Sequence, residues 1–284
     1  MRKKVLEVNN LSFRYRDTKG KALDDISFSV EEGEFFCIIG SNGSGKSTLC
    51  NALVGLIPYY FVGKLKGEVI VQGIDTQKST ISDLSTRIGL VFQNPFNQLS
   101  YTAGTVAEEL AYGLGNRGIS REEMLPKVEY VAKQMRIDHI MHKNPLELSG
   151  GQVQRVAFGS TFIMEPSILV LDECTTQLDP LGSEEIFDIV KELNKKGITV
   201  VMVDHDMERV ARCADRIMVL EGGKVVSIDT PQKIFCNPEV MSHNIGAPDY
   251  VAICQELKKR GYYDSEIEVE ESPTIELVKE ALTK

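Results

Sequence analysis

The sequence predicts an α/β protein: a parallel-sheet core, a small antiparallel β layer beside it, and a helical insert between core strands. Three observations predict it. The apolar run Phe35 to Ile39 feeds a glycine-rich loop, Gly40-Ser41-Asn42-Gly43-Ser44-Gly45-Lys46-Ser47-Thr48, and Leu49 to Val54 then reads as helix. A second apolar run, Ile168 to Leu171, ends in Asp172-Glu173, and a third, Ile198 to Val203, ends in Asp204-His205-Asp206. Unbroken apolar strands alternating with helical stretches suit a parallel sheet buried on both faces.

The remaining elements follow in order. Val5 to Val8 and Leu11 to Tyr15 alternate as strands do, and Ala22 to Val30 is a strand ending at the turn Glu31-Glu32-Gly33. These form the antiparallel layer. Beyond Ile57-Pro58, Glu68 to Gln72 resumes a strand, and Arg87 to Phe92 is a buried-type strand running into Gln93-Asn94-Pro95. From Tyr101 to Ile140 the pattern is helical. Ser120-x-x-Glu123 is a capping box there, and Met124, Val128, Val131 and Met135 keep one stripe. The helical insert, about residues 95–165, runs through Leu148-Ser149-Gly150-Gly151-Gln152 into a helix from Val153 to Met164. Leu178-Asp179-Pro180 starts a turn, and Ile186, Ile189, Val190 and Leu193 stripe a helix stopped at Gly197. Arg216 to Leu220 and Lys224 to Ile228 read as a hairpin that closes the first domain, 1–230.

Residues 231–284 differ. Tyr250, Ile253, Cys254 and Leu257 stripe one helix, and an acidic linker after Gly261 leads to the cap-and-first-turn signal Ser272-Pro273. Ile275, Val278 and Leu282 stripe a last helix. Helices this short need a surface to pack on, so the segment is expected to serve dimer contact.

At 284 residues, with 42% hydrophobic and 26% charged residues, the composition is that of a globular protein. No apolar run is long enough to span a bilayer, and Met1-Arg2-Lys3-Lys4 precedes no signal-peptide core, which predicts a chain that stays on the cytosolic side. Six cysteines form no C-x-x-C pair and read as reduced core thiols. A net charge of −9 argues against a nucleic-acid-coating surface.

The chemistry starts at the glycine loop. G-x-x-x-x-G-K-S after a strand and before a helix lets successive N–H groups of residues 41–48 face anionic oxygens. The helix dipole adds to that cradle, Lys46 reaches the β- and γ-phosphates, and the Ser47 hydroxyl can ligate Mg²⁺. The chain is therefore expected to bind a nucleoside triphosphate. Ser149-Gly150-Gly151 is a second small-residue turn at a helix start, sensible if it closes over a triphosphate held by another subunit. Asp172 at the strand end would hold Mg²⁺, and Glu173 would polarise the attacking water. Three candidates are ambiguous alone: Tyr15 is either packing or an adenine-stacking ring, Gln93 either starts a loop or touches metal or water, and His205 is either structural or catalytic.

Taken together in this order, the loop, Leu-Ser-Gly-Gly-Gln at 148–152, Asp172-Glu173 and His205 resemble the ATP-binding-cassette (ABC) ATPases over about residues 5–230. The resemblance implies their P-loop fold, with a RecA-like parallel core, an antiparallel β subdomain and a helical subdomain. It makes Tyr15 the adenine-stacking aromatic and Gln93 the glutamine that senses Mg²⁺ and the membrane partner. Ser149, Gly151 and Gln152 become the signature that closes on the opposite subunit's ATP. Asp172 becomes the metal-site acid, Glu173 the base, Asp179 the dimer-contact aspartate and His205 the γ-phosphate switch.

Within that family the sequence is similar to energy-coupling-factor ATPases. Gly55-Leu56-Ile57-Pro58, Leu90 to Pro95 with Asn97-Gln98-Leu99, and Leu257-Lys258-Lys259-Arg260-Gly261 carry this likeness. It implies an ATP- and Mg²⁺-dependent dimer, with itself or a paralogue, at the cytoplasmic face of the cell membrane. Its partners would be a transmembrane coupling subunit and a substrate-binding membrane subunit that take up a vitamin or transition-metal ion. A soluble cassette ATPase of iron–sulfur cofactor assembly is the alternative. Cys174 and Gln177 depart from the family pattern between the base and Asp179 without removing a catalytic group.

Overall fold

A computed structural model describes residues 2–282 except 177, 244, 263, 265, 266 and 270. Gln177 therefore lies outside the described residues, as does the side chain of Leu282. The strands are β1 (Lys4–Tyr15), β2 (Leu23–Glu31), β3 (Phe35–Ile39), β4 (Gly63–Val71), β5 (Ile74–Asp75), β6 (Ile88–Val91), β7 (Ile168–Asp172), β8 (Thr199–Val203), β9 (Arg216–Glu221) and β10 (Lys224–Asp229). The helices are α1 (Lys46–Leu53), α2 (Ile81–Leu84), α3 (Val106–Asn116), α4 (Arg121–Gln134), α5 (Gly150–Phe162) and α6 (Pro180–Lys195). They continue with α7 (Met207–Cys213), α8 (Pro231–Phe235), α9 (Pro238–Met241), α10 (Asp249–Lys259) and α11 (Glu271–Leu282).

The two sheets run in the orders β2-β1-β4-β5 and β10-β9-β3-β8-β7-β6. The first is antiparallel throughout, whereas β9-β3-β8-β7-β6 are parallel and only β10 reverses. Every residue of β3, β7 and β8 is buried, and alternation divides each strand between two cores. Phe35, Cys37 and Ile39 join the core under α5 and α6, with Leu169, Leu171, Val200 and Met202. Phe36 and Ile38 face the core under α1 and the antiparallel layer, with Ile168, Val170, Val201 and Val203. Burial on both faces is why these strands carry no polar alternation.

Several elements differ from the sequence reading for local reasons. β1 is one strand of 12 residues, because its register shifts between Val8 and Leu11 let the pairing continue past Asn10 (φ 47°). The helical stretch after Tyr101 begins only at Val106, where Thr105 and Glu108 form a capping box, and it breaks around Gly118 (φ 72°). α5 starts at Gly150 rather than Val153, since Ser149 is its N-cap and exchanges bonds with Gln152. α11 starts at Glu271, so Ser272 is inside the helix. In the C-terminal segment, Ile234, Phe235, Val240, Val251 and Val269 are buried in the same core as Val210 and Ile217, and α10 packs on α11.

Candidate nucleotide site

Parallel order places four strand ends side by side. Ile38 is level with Val203, Val203 with Asp172, and Leu171 with Val91. The residues that follow β3, β8, β7 and β6 therefore share one edge, where open α/β sheets bind ligands. An open cleft of about 670 Å³ lies there, lined by Tyr15, Asn42, Gly43, Gly45, Lys46, Ser47, Thr48, Gln93, Glu173 and His205, together with Ala22 and Thr176.

The loop after β3 is tightly built. A Cβ on Gly40 would stand 2.1 Å from the Leu220 carbonyl oxygen, and one on Gly45 (φ 107°) 2.6 Å from that of Ala22. Neither position admits a side chain. Lys46, 4% exposed, donates from Nζ to the carbonyls of Gly40 (2.9 Å) and Ser41 (3.1 Å). Ser44 Oγ is buried without a hydrogen-bond partner among the described residues. An orphaned hydroxyl inside a loop of inward N–H groups fits a phosphate oxygen.

Glu173 is the hub of the acidic side. It directly follows β7 with a left-handed backbone (φ 49°), which swings its carboxylate into the cleft. Oε2 accepts from Gln93 Nε2 at 2.6 Å, Oε1 accepts from His205 Nε2–H at 2.6 Å, and Lys46 Nζ is 3.6 Å from Oε1. Thr176 Oγ1 donates to the Glu173 carbonyl at 3.0 Å, which holds that turn. One residue earlier, Asp172 Oδ1 accepts from Ser47 Oγ at 3.1 Å. Burial pushes the Asp172 carboxyl up to about 6; the Ser47 hydrogen bond pulls it back and the Glu173 charge raises it further. A carboxylate and a hydroxyl in contact, with the Gln93 amide nearby, are the hard oxygen donors that suit Mg²⁺. Tyr15 bonds through its hydroxyl to Thr48 Oγ1 at 3.0 Å.

The other sequence candidates lie elsewhere. Ser149, Gly151 and Gln152 sit at the start of α5, and Asp179 caps α6 by accepting from Gly182 N at 2.8 Å; none of the four lines the cleft. Sequence reasoning also missed what holds the His205 loop. Asp204, 6% exposed, accepts from the backbone N–H of His205 (2.7 Å) and Asp206 (3.0 Å). Its other oxygen accepts from Arg209 Nη1 at 3.0 Å, and Arg209 lies over the Phe187 ring. The Asp204…Arg209 spacing across a strand–helix junction was the available signal.

The profile of the family described as ABC transporter matches residues 23–176. The chain belongs to the ABC transporter ATPase family. A putative ABC transporter ATP-binding protein of Pyrococcus abyssi is 45% identical over 259 residues, 90% of this chain and 92% of the relative. The energy-coupling factor transporter ATP-binding protein EcfA1 of Bacillus subtilis is 40% identical over 260 residues, 90% of each chain. Among solved structures, CbiO1 of Clostridium perfringens, described as part of the ABC transporter complex CbiONQ, superposes with a TM-score of 0.73 at 31% identity. That match covers 92% of this chain and 98% of CbiO1. The ABC fold expected from the sequence is thus present, and this ABC ATPase binds and hydrolyses ATP.

Proposed function

We propose that this ABC ATPase is the motor subunit of an energy-coupling-factor importer, taking up a vitamin or a transition-metal ion. The observation that carries the reading is a split site. The cleft gathers Lys46, Ser47, Gln93, Glu173 and His205, with Asp172 bonded to Ser47 beneath it, while Ser149, Gly151, Gln152 and Asp179 stand outside it. A second subunit, the same chain or a paralogue, supplies that missing half: its signature turn closes on the triphosphate held by residues 41–48. The ring of Tyr15 stacks on adenine and lets go of Thr48 as it does so. The Glu173 carboxylate takes the proton of the attacking water, and the His205 imidazole donates toward the γ-phosphoryl oxygens. Ser47, Gln93 and Asp172 would hold Mg²⁺, which would supply charge neutralisation of the phosphates. Lys46, freed from Gly40 and Ser41, adds to that neutralisation.

Coupling runs through Gln93. The residue before it, Phe92, lines an apolar groove with Val54, Leu56, Ile81, Leu84 and Met164. A helix of the membrane coupling subunit fits that groove, so its movement reaches the Gln93–Glu173 hydrogen bond directly. Residues 1–230 serve as the nucleotide-binding domain and 231–284 as a dimer contact. A largely apolar groove on α10, the turn after it and α11, lined by Ile253, Leu257, Tyr262, Val278 and Ala281 together with Glu256 and Arg260, supports that role. Because Phe235 and Val240 are core residues, Ile253→Asp tests it better than deletion, and an unchanged dimer by light scattering would refute it.

The reading as a whole is tested by affinity purification of the chain from detergent-solubilised membranes. Recovery of two membrane proteins with it is expected, and Ile81→Asp, at a partly exposed position of the groove, is expected to release them. Recovery of the chain with soluble cofactor-assembly proteins instead would overturn the transport reading.

A further inference from the structure

We propose that the tip of the β1–β4 ribbon binds an anionic lipid bilayer directly, beside the groove for the membrane subunit. Tyr59, Tyr60, Phe61 and Val62 are consecutive and exposed by 62, 68, 39 and 54%. Four large apolar residues in a row on a surface call for a covering partner. The tip is a held protrusion. Leu56 O accepts from Tyr60 N (2.9 Å) and Phe61 N (3.2 Å), and Arg16 N donates to Val62 O (3.1 Å), extending the β1–β4 ladder. Tyr59 donates its hydroxyl to Gln77 O at 2.9 Å.

The rungs behind the tip are cationic. Arg14 lies directly opposite Lys64, and Lys66 opposite Ser12; Lys19 joins them along a shared groove. Like charges on one rung are destabilising. Among the described residues none of Arg14, Arg16, Lys19, Lys64 and Lys66 is in an ion pair, on a chain of net charge −9. Aromatic rings at the tip and unpaired cations one turn back match the two layers of a membrane surface, acyl boundary and phosphate headgroups. The choice of a bilayer rests on the proposed transporter role. Leu56, which accepts both tip amides, also lines the groove assigned to the membrane subunit, so the tip emerges on that side. Single-stranded nucleic acid would also engage aromatics and cations but lacks this placement.

The test is flotation of the purified full chain with vesicles of phosphatidylcholine alone, or with about one-third phosphatidylglycerol. Binding to the anionic vesicles alone is expected, weakening as salt rises. K64Q/K66Q should lower partitioning about 25-fold, at about fivefold per cation, and Y60S/F61S should remove it with nucleotide binding intact. Failure to bind anionic vesicles, wild-type binding by either variant, or capture of poly(U) RNA in place of vesicles would overturn the proposal. Membrane subunits that co-purify with a chain that ignores vesicles would leave the transporter reading standing and refute this inference alone.

Discussion

Asp172→Asn should make the empty protein more stable while removing its activity. The Asp172 carboxyl is 6% exposed and held at about 6, against 3.8 ordinarily. The folded state therefore keeps a proton on it between those values while the unfolded chain has lost its own. Its contribution to stability is fully present below 3.8, is lost as pH rises, and is gone above about 6. A displacement of that size corresponds to about 3 kcal/mol. Asparagine carries no charge to desolvate and keeps an oxygen for the Ser47 hydroxyl, so it should recover most of that amount at pH 7. The assay is urea unfolding with chelator and without nucleotide, at pH 7 and at pH 4. The variant should gain up to about 3 kcal/mol at pH 7 and almost nothing at pH 4. Equal stability of the two proteins at both pH values, or a less stable variant at pH 7, would refute the reasoning. With Mg²⁺ and ATP the order should reverse, because the carboxylate proposed to hold the metal is gone.

Three further outcomes are expected. Glu173→Gln should slow phosphate release by about 10²- to 10⁴-fold with nucleotide binding retained, since an amide cannot take the proton; turnover at the wild-type rate would remove Glu173 as the base. Gly151→Asp should fold normally, because a Cβ there meets Leu178 Cδ2 at an ordinary 3.6 Å, and should bind ATP yet fail to hydrolyse it. Full turnover would show that the start of α5 has no part in the reaction. In thiol labelling of the native protein at pH 8, Cys213 and Cys236 should react while Cys37, Cys50 and Cys174 stay silent. Burial raises all three of these, Cys174 to about 12, and fast labelling of Cys174 would contradict its packing.

Much of this site was legible because short-range chemistry wrote it. The loop at 40–48 needs glycines where Leu220 O and Ala22 O crowd the backbone, and the buried strand before it needs unbroken apolar residues. Asp172 and Glu173 stood out because two acids rarely follow four core residues. The placements that depend on distant partners were not readable. Whether Gln93 began a loop or touched the site was settled by its 2.6 Å bond to Glu173, 80 residues away. Nothing local in Tyr59 to Val62 marked them as exposed, since an apolar run reads as core until the fold shows what covers it. The start of α5 was misplaced because two glycines lower helix propensity, while the Ser149–Gln152 capping box outweighs them.

The sheet order carries a last consequence, for synthesis. β8 lies between β3 and β7, although it is made about 30 residues after β7 is complete. A nascent chain that has reached Glu173 already owns the phosphate loop and both acids. It lacks the strand that sets Asp172 at the distance to bond Ser47, and it lacks His205. On the proposed roles of Asp172 and His205, each earlier fragment would be a binder at most, and hydrolytic competence would wait until Thr199–Val203 inserts. Sequence separation inside the sheet thus ties completion of the proposed site to completion of the chain through β8.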